Sequence, residues 1–194
     1  MTEPKRCWWA ADPAYVVYHD EEWGRPVTDE RGLYEKLCLE GFQSGLSWLT
    51  ILRKRENFRA AFADFEPERV ARYGKRDIER LLKDAGIVRH RGKIEAAIAN
   101  ARGTLALREQ GTPLQELVWS HRPAKHRAPR GPKDLQPTTP ESVALSKALK
   151  RAGFRFVGPT TVYAAMQSCG VVNDHLLSCF VREAAQKEID AVAG

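Results

Sequence analysis

Three features of this 194-residue sequence predict an all-α fold. Apolar residues recur at the three-to-four-residue spacing of amphipathic helices. Ser, Thr and Asp stand where such stretches begin, as helix caps do. Period-2 alternation, the mark of half-buried strands, is nearly absent. In order, Thr28 or Asp29 caps a helix through LYEKLCLEGF, whose face carries Leu33 and Leu37. Ser47 caps a second, WLTILRKRENFRAAF, with Trp48, Ile51, Leu52, Phe58 and Phe62 on one side. Further helices are expected over 67–73, 77–84, 93–109, 114–119, 141–151, 160–169 and 174–190. Residues 121–142, HRPAKHRAPRGPKDLQPTTPES, are proline-rich and charged and hold almost no large apolar residue. They read as an exposed, mobile surface loop.

The length suits one good core or two small, intimate domains. No apolar run approaches the ~20 residues of a membrane span. The N-terminal segment lacks the apolar centre of a signal peptide, so a cytoplasmic protein is expected. Cys38 and Cys169 then read as reduced core thiols. Charge is uneven: residues 51–133 hold 20 basic and 10 acidic side chains, while residues 1–50 hold 5 and 9. A basic middle third fits either a polyanion partner such as nucleic acid or a solubilising surface.

Four constellations carry chemistry. Cys7 and His19 lie near one end, His175 and Cys179 near the other. In the expected 174–190 helix, His175 and Cys179 share a face one turn apart. The four make a Cys₂His₂ set able to close a tetrahedral zinc site and clasp the two ends, or they are unrelated residues, since a buried Cys also serves as a small hydrophobe. Glu40 falls on the apolar face of Leu33 and Leu37, where a carboxylate is costly unless paired or used. Around it in sequence stand Trp8, Trp9, Tyr15, Tyr18, Trp23 and Trp48. Such a cluster is either core or a box for a flat cationic ligand. In the turn GFQSGLSW, Leu46 after Gly45 is either a hydrophobic staple or a wedge into a base stack. Finally, DIERLLKDAGIVRHRGKIEAAIANAR has the form helix, hairpin bracketed by Gly86 and Gly92, helix. Backbone N–H groups and the cations Arg91 and Lys93 could hold a DNA phosphate there.

With these residues assembled, the chain resembles the 3-methyladenine DNA glycosylase I family. The resemblance rests on CWWAADPAYVVYHDEEWG (7–24), LCLEGFQSGLSW (37–48), KRENFRAAF, DAGIVRHRGKI, SKALKRAGFRFVGPT and CGVVNDHLLSC, in order along nearly the whole chain. It implies a helix-hairpin-helix DNA glycosylase fold with a zinc clasp joining the terminal segments. A helix-hairpin-helix part over about 28–120 and a clasped part from 1–27 plus 141–190 are expected. It implies one structural zinc per chain on Cys7, His19, His175 and Cys179. The base-pocket carboxylate falls on Glu40 and the pocket aromatics on Trp9, Tyr15, Tyr18 and Trp48. The wedge turn falls on Gly45 and Leu46, and DNA contacts fall on Gly86, Arg91, Gly92 and Lys93.

Two departures stand out. Phe42 replaces an expected polar residue, and the Cys7–Asp12 interval is one residue short, so that Trp8 or Trp9 fills one pocket position. No Asp lies between Asp84 and Asp134, so the superfamily's usual catalytic aspartate has no counterpart. That agrees with the family's reliance on Glu40 as the catalytic carboxylate. With Lys93 read as a phosphate contact and not an activated nucleophile, the resemblance implies a monofunctional hydrolase removing 3-methyladenine from double-stranded DNA. It is expected to be monomeric, cytoplasmic, of bacterial type and nucleoid-associated through DNA.

Overall fold

The computed structural model describes residues 4–193. Eleven α-helices cover the described residues, with no strand among them. They are α1 (Pro13–Glu21), α2 (Glu30–Gln43), α3 (Trp48–Arg53), α4 (Arg55–Ala61), α5 (Pro67–Val70), α6 (Lys75–Lys83), α7 (Arg91–Glu109), α8 (Leu114–Trp119), α9 (Pro140–Arg151), α10 (Pro159–Ser168) and α11 (Arg182–Ala193). The all-α expectation holds, and no described helix is long and apolar enough to cross a membrane.

Helix α2 is the axle of the molecule. Asp29, not Thr28, caps it, its carboxylate accepting from the Gly32 N–H at 2.8 Å. Helices α3, α7, α8 and α10 all pack on it. That crowding explains why α2 is buried from Leu33 to Phe42 on nearly every side, rather than along one stripe. Phe42 is inside, in an aromatic cluster with Phe58 and Phe62. Phe42 is thus core, and its neighbour Gln43 is half-buried.

Several parts of the chain differ from the expectation, among them the helix expected over 67–73, which ends at Val70. The helix expected from Trp48 breaks at Lys54 (φ −102°, ψ 1°) into α3 and α4. The Lys54 ammonium reaches the Ala85 carbonyl at 2.9 Å and so ties the break to the α6–α7 hairpin. Helix α1 has no counterpart in the sequence reading. Asp12 caps it and Pro13 opens it, but Val17 faces solvent while Tyr18 and His19 face inward, so no aliphatic stripe announces it.

Another difference is at the C-terminal end, where the expected 174–190 helix begins only at Arg182. Residues 173–181 are irregular because their backbone groups are bonded elsewhere. Leu177 N–H donates to the Pro129 carbonyl at 2.8 Å and Phe180 N–H to the Lys5 carbonyl at 3.0 Å. The Arg182 guanidinium holds the Asn173 carbonyl at 2.9 Å. His175 and Cys179 are therefore not one turn apart on a helix face; an irregular turn brings them together. Around them lies a satellite cluster of Cys7, Leu176, Cys179, Val181 and Ala185, separate from the main core.

Residues 121–142 are also more tied than a mobile loop. Pro129 is buried, and His126 bonds to Asp174 at 2.7 Å.

Candidate active site and metal centre

Helices α1, α2, α3 and α10 enclose a cavity of about 270 Å³ lined by Trp8, Trp9, Tyr15, Tyr18, Trp23, Glu40, Gln43, Trp48, Leu135, Ala164 and Gln167. That is just below the usual range of ~300–1,000 Å³ for drug-sized ligands and suits a single heterocycle. All the aromatics that the sequence singled out for a pocket are brought together here, with both Trp8 and Trp9 on the wall. Trp9 is the hub, with Tyr15 at 5.5 Å and Trp23 at 5.1 Å, both edge-on. Tyr18 and Trp48 lie 5.5 Å apart. The Tyr15 hydroxyl accepts from the Leu49 N–H at 2.9 Å, fixing α1 to the first turn of α3. Trp48 Nε1 is buried without a partner.

Glu40 is 6 % exposed. Burial pushes its carboxyl up to about 8, against the opposing pull of the Lys36 charge and the Ser168 hydroxyl. Free of ligand, Glu40 therefore keeps its proton at neutral pH. An adjoining cleft shares Glu40, Gln43 and Ala164 with the cavity and carries Gly45 and Leu46 at its other side. Gly45 takes φ +80°, the left-handed conformation that ends α2. Leu46 then stands 44 % exposed. The carboxylate and the candidate wedge thus flank one opening.

Sequence reasoning missed the support beneath this wall. The Lys36 ammonium lies 4.9 Å from the Tyr18 ring centre and 6.0 Å from that of Trp48. It pairs with Glu22, which also accepts from Arg55 at 2.5 Å. Burial alone would raise the Glu22 carboxyl, but Lys36 and Arg55 reverse that and hold it ionised. Lys36 stands one turn before Glu40, a signal that was available, since a second charge there marks a polar seam in an otherwise apolar face. Gln43, one turn after Glu40, completes the same row. Gln167 and Leu135 had no such signal.

Lys93 departs from its expected place. It is 7 % exposed, and its ammonium donates to the Phe42 carbonyl at 2.8 Å and to that of Ser44. It satisfies carbonyls at the C-terminal end of α2, which have no partners within the helix, and so braces the Leu46 turn. In this arrangement its ammonium is engaged by the protein's own carbonyls. Burial lowers its pKa, yet both bonds favour the charged amine. Arg91 is exposed and pairs with Glu79 at 2.6 Å. Gly86 and Gly92 bracket the hairpin between α6 and α7 as expected, and the His90 ring accepts from the Lys93 N–H at 3.2 Å.

At the opposite side of Trp9, Cys7, His19, His175 and Cys179 converge, all four ligand atoms lying within 4.8 Å of one another. Sγ of Cys179 is 3.4 Å from His19 Nε2 and 3.6 Å from His175 Nδ1, and Cys7 Sγ is 3.8 Å from His175 Nδ1. Zinc bonds of about 2.3 Å to sulfur and 2.0–2.1 Å to nitrogen give tetrahedral edges of roughly 3.3–3.8 Å.

The partners outside the set fit as well. His19 Nδ1 meets Asp20 at 2.7 Å and His175 Nε2 meets the Trp23 carbonyl at 2.9 Å. Each contact assigns the N–H outward and turns the other ring nitrogen's lone pair to the centre. Gly24 (φ +79°) allows the close approach, since a Cβ there would lie 3.0 Å from the His175 ring. The hydrogen bond between the two thiols, together with burial, pushes Cys7 up, while the same bond pulls Cys179 down against burial.

Comparison with known proteins follows the same line. A family model described as methyladenine glycosylase matches residues 8–183. DNA-3-methyladenine glycosylase 1 of Escherichia coli (strain K12) is 51 % identical over 179 residues, covering 90 % of this chain and 95 % of its own. A crystal structure of 3-methyladenine DNA glycosylase I superposes with a TM-score of 0.88 at 50 % identity, covering 91 % of this chain and 98 % of the other. A variant of 3-methyladenine DNA glycosylase I, solved in complex with 3-methyladenine, superposes at 0.87 with 37 % identity, covering 91 % and 97 %.

Proposed function

The chain belongs to the methyladenine glycosylase family, and from that premise we propose that it excises 3-methyladenine from alkylated double-stranded DNA in base-excision repair. One observation carries the reading: a heterocycle-sized cavity walled by edge-on and tilted aromatics with a buried carboxyl, Glu40, at its opening. Methylation at N3 makes the base a cation and a good leaving group. The enzyme need not protonate it. It must extrude it, recognise it and admit water to the sugar. Water adds to C1′ as the bond from C1′ to the base breaks. The departing base keeps that electron pair and becomes neutral, and the water sheds a proton.

Leu46, on its turn at Gly45, fills the gap in the stack, while the base enters between Tyr18, Trp48 and Trp9. Tyr15 holds α1 against α3 so that the wall keeps its spacing. A cationic base favours aromatic faces over water and draws Glu40 to its carboxylate form. Glu40 then accepts hydrogen bonds from the base edge, which charge roughly doubles in strength. The helix pair α6–α7 acts as the helix-hairpin-helix unit. Gly86, Gly92 and Arg91 face the phosphates, and Lys93 braces the wedge instead. With its amine committed to two carbonyls, Lys93 is no Schiff-base nucleophile, and the enzyme is monofunctional.

Cys7, His19, His175 and Cys179 would hold one structural zinc per chain, which supplies a tie between the two ends. Four protein ligands leave no position for a water, so the metal takes no part in hydrolysis. The protein acts as a monomer. The test is the release of free 3-methyladenine from methylated duplex DNA, measured by chromatography. Release by the purified protein is expected, and tight duplex binding with no release would leave only a DNA-binding module.

A further inference from the structure

We propose that residues 121–142 form the outer wall of the base cavity, and that Leu135, set in place through Asp174, limits which methylated bases the enzyme accepts. This rests on the glycosylase reading above. Of the residues lining the cavity, Leu135 alone comes from this segment. It follows the single helical turn Pro132–Asp134, which is closed by the Arg130 N–H on the Asp134 carboxylate at 2.8 Å.

Upstream, the segment is fastened twice to the irregular stretch that carries His175 and Cys179. His126 bonds to Asp174 Oδ1 at 2.7 Å, and the Pro129 carbonyl accepts from Leu177 N–H at 2.8 Å. Asp174 is 2 % exposed, and its second oxygen accepts from the Tyr163 hydroxyl and from Gln167 Nε2, both at 2.7 Å. Gln167 is itself a lining residue of the cavity. One buried carboxylate therefore sets the positions of two cavity walls, one on α10 and one on the segment.

The chemistry of Leu135 suggests exclusion. An aliphatic side chain gives shape and no hydrogen bond. A guanine-derived base carries a 2-amino group where adenine has only C2–H, and a 6-carbonyl where adenine has an amino group, and against Leu135 these groups would lose water without gaining a partner. Adenine, bare at C2, fits a space of about 270 Å³. The clasp thus does more than join the ends. It holds the stretch to which this wall is tied.

The test compares the metal-loaded wild type with Leu135→Ala, Leu135→Trp and His126→Ala. The probe is duplex DNA treated with a methylating agent, and the readouts are single-turnover rates of release of 3-methyladenine and 3-methylguanine. Zinc content and thermal midpoint are followed in each protein. One to a few methylenes in an apolar pocket change discrimination by roughly 10–200-fold. Leu135→Ala should therefore lower the preference for 3-methyladenine over 3-methylguanine by about tenfold or more. His126→Ala should shift the preference in the same direction by less, and Leu135→Trp should slow release of both bases with duplex binding unchanged. A preference within twofold of wild type in Leu135→Ala, with zinc and midpoint retained, overturns the proposal, as does release of both bases at the wild-type rate by Leu135→Trp. Absence of any 3-methyladenine release by the wild type would instead overturn the underlying function.

Discussion

The Cys7, His19, His175 and Cys179 cluster and the aromatic cavity share Trp9 as a wall, yet they treat polar groups in opposite ways. Around the four ligands, assigned partners abound: Asp20 on His19, the Trp23 carbonyl on His175, the Leu176 N–H on Cys7. Across Trp9, the cavity holds a carboxyl lifted to about 8 and the Trp48 N–H, one of only two buried side-chain polar atoms without a partner among the described residues. Unmatched polar groups cost stability, so they persist where a ligand completes them. The four-residue cluster is completed by the protein's own groups. The cavity leaves polar groups for a ligand.

The largest test of this contrast is Cys179→Ala. Purified wild type should hold about one zinc per chain, and the variant should lose both the metal and more than about 4 kcal/mol of stability. Full stability in a metal-free wild type would remove the contrast altogether.

Glu40→Gln should do the reverse, with the fold kept and excision of 3-methyladenine reduced by roughly 10- to 150-fold, the equivalent of about 1.5–3 kcal/mol for a charge-assisted hydrogen bond. A pH series sharpens it. Because a cationic base binds the carboxylate form, kcat/KM should climb toward pH 8 and level above it, and the variant should lose that limb. Stability moves the other way. The folded-state value lies above the ordinary 4.5, so between these limits the unfolded chain sheds the proton and the folded chain keeps it. Wild-type stability should fall as pH rises through that window, by up to about 1.4 kcal/mol per unit, and Glu40→Gln should escape the loss. Parallel pH profiles in denaturant melts of the two proteins would show that burial does not govern this carboxyl.

The smallest effect separates two neighbouring cations. Lys93→Ala should cost about 1.5 kcal/mol of stability through the freed carbonyls and leave the salt slope of duplex binding intact. Arg91→Ala should leave stability alone and flatten that slope by about 0.9. A flattened slope for Lys93→Ala, measured by titration at several salt concentrations, would return that lysine to the phosphates.

Much of the site was readable because its chemistry was unusual for its place. A Glu on the Leu33–Leu37 face, four tryptophans in fifty residues and a Leu after Gly45 each stand out against helix periodicity. Cys7 and His19 pointed to their partners by donor type, though the helix invoked to pair His175 with Cys179 is absent. What stayed hidden depends on distant contacts. Lys93 has the composition of a phosphate ligand, and only the positions of the Phe42 and Ser44 carbonyls show that its ammonium is bonded within the protein. Leu135 looks like filler in a proline-rich stretch until Asp174, 39 residues on, fixes where that stretch lies.

The ligand order along the chain also sets a timetable. Cys7 and His19 leave the ribosome early, with Trp9, Tyr15 and Tyr18, whereas His175 and Cys179 come last. At about 5–20 residues per second, the first pair waits on the order of 10–30 s for the second. A nascent chain interrupted between Trp48 and His175 carries every aromatic of the pocket but only half of the four-residue cluster. Closure of that cluster therefore waits for a segment more than 150 residues beyond the one it closes on.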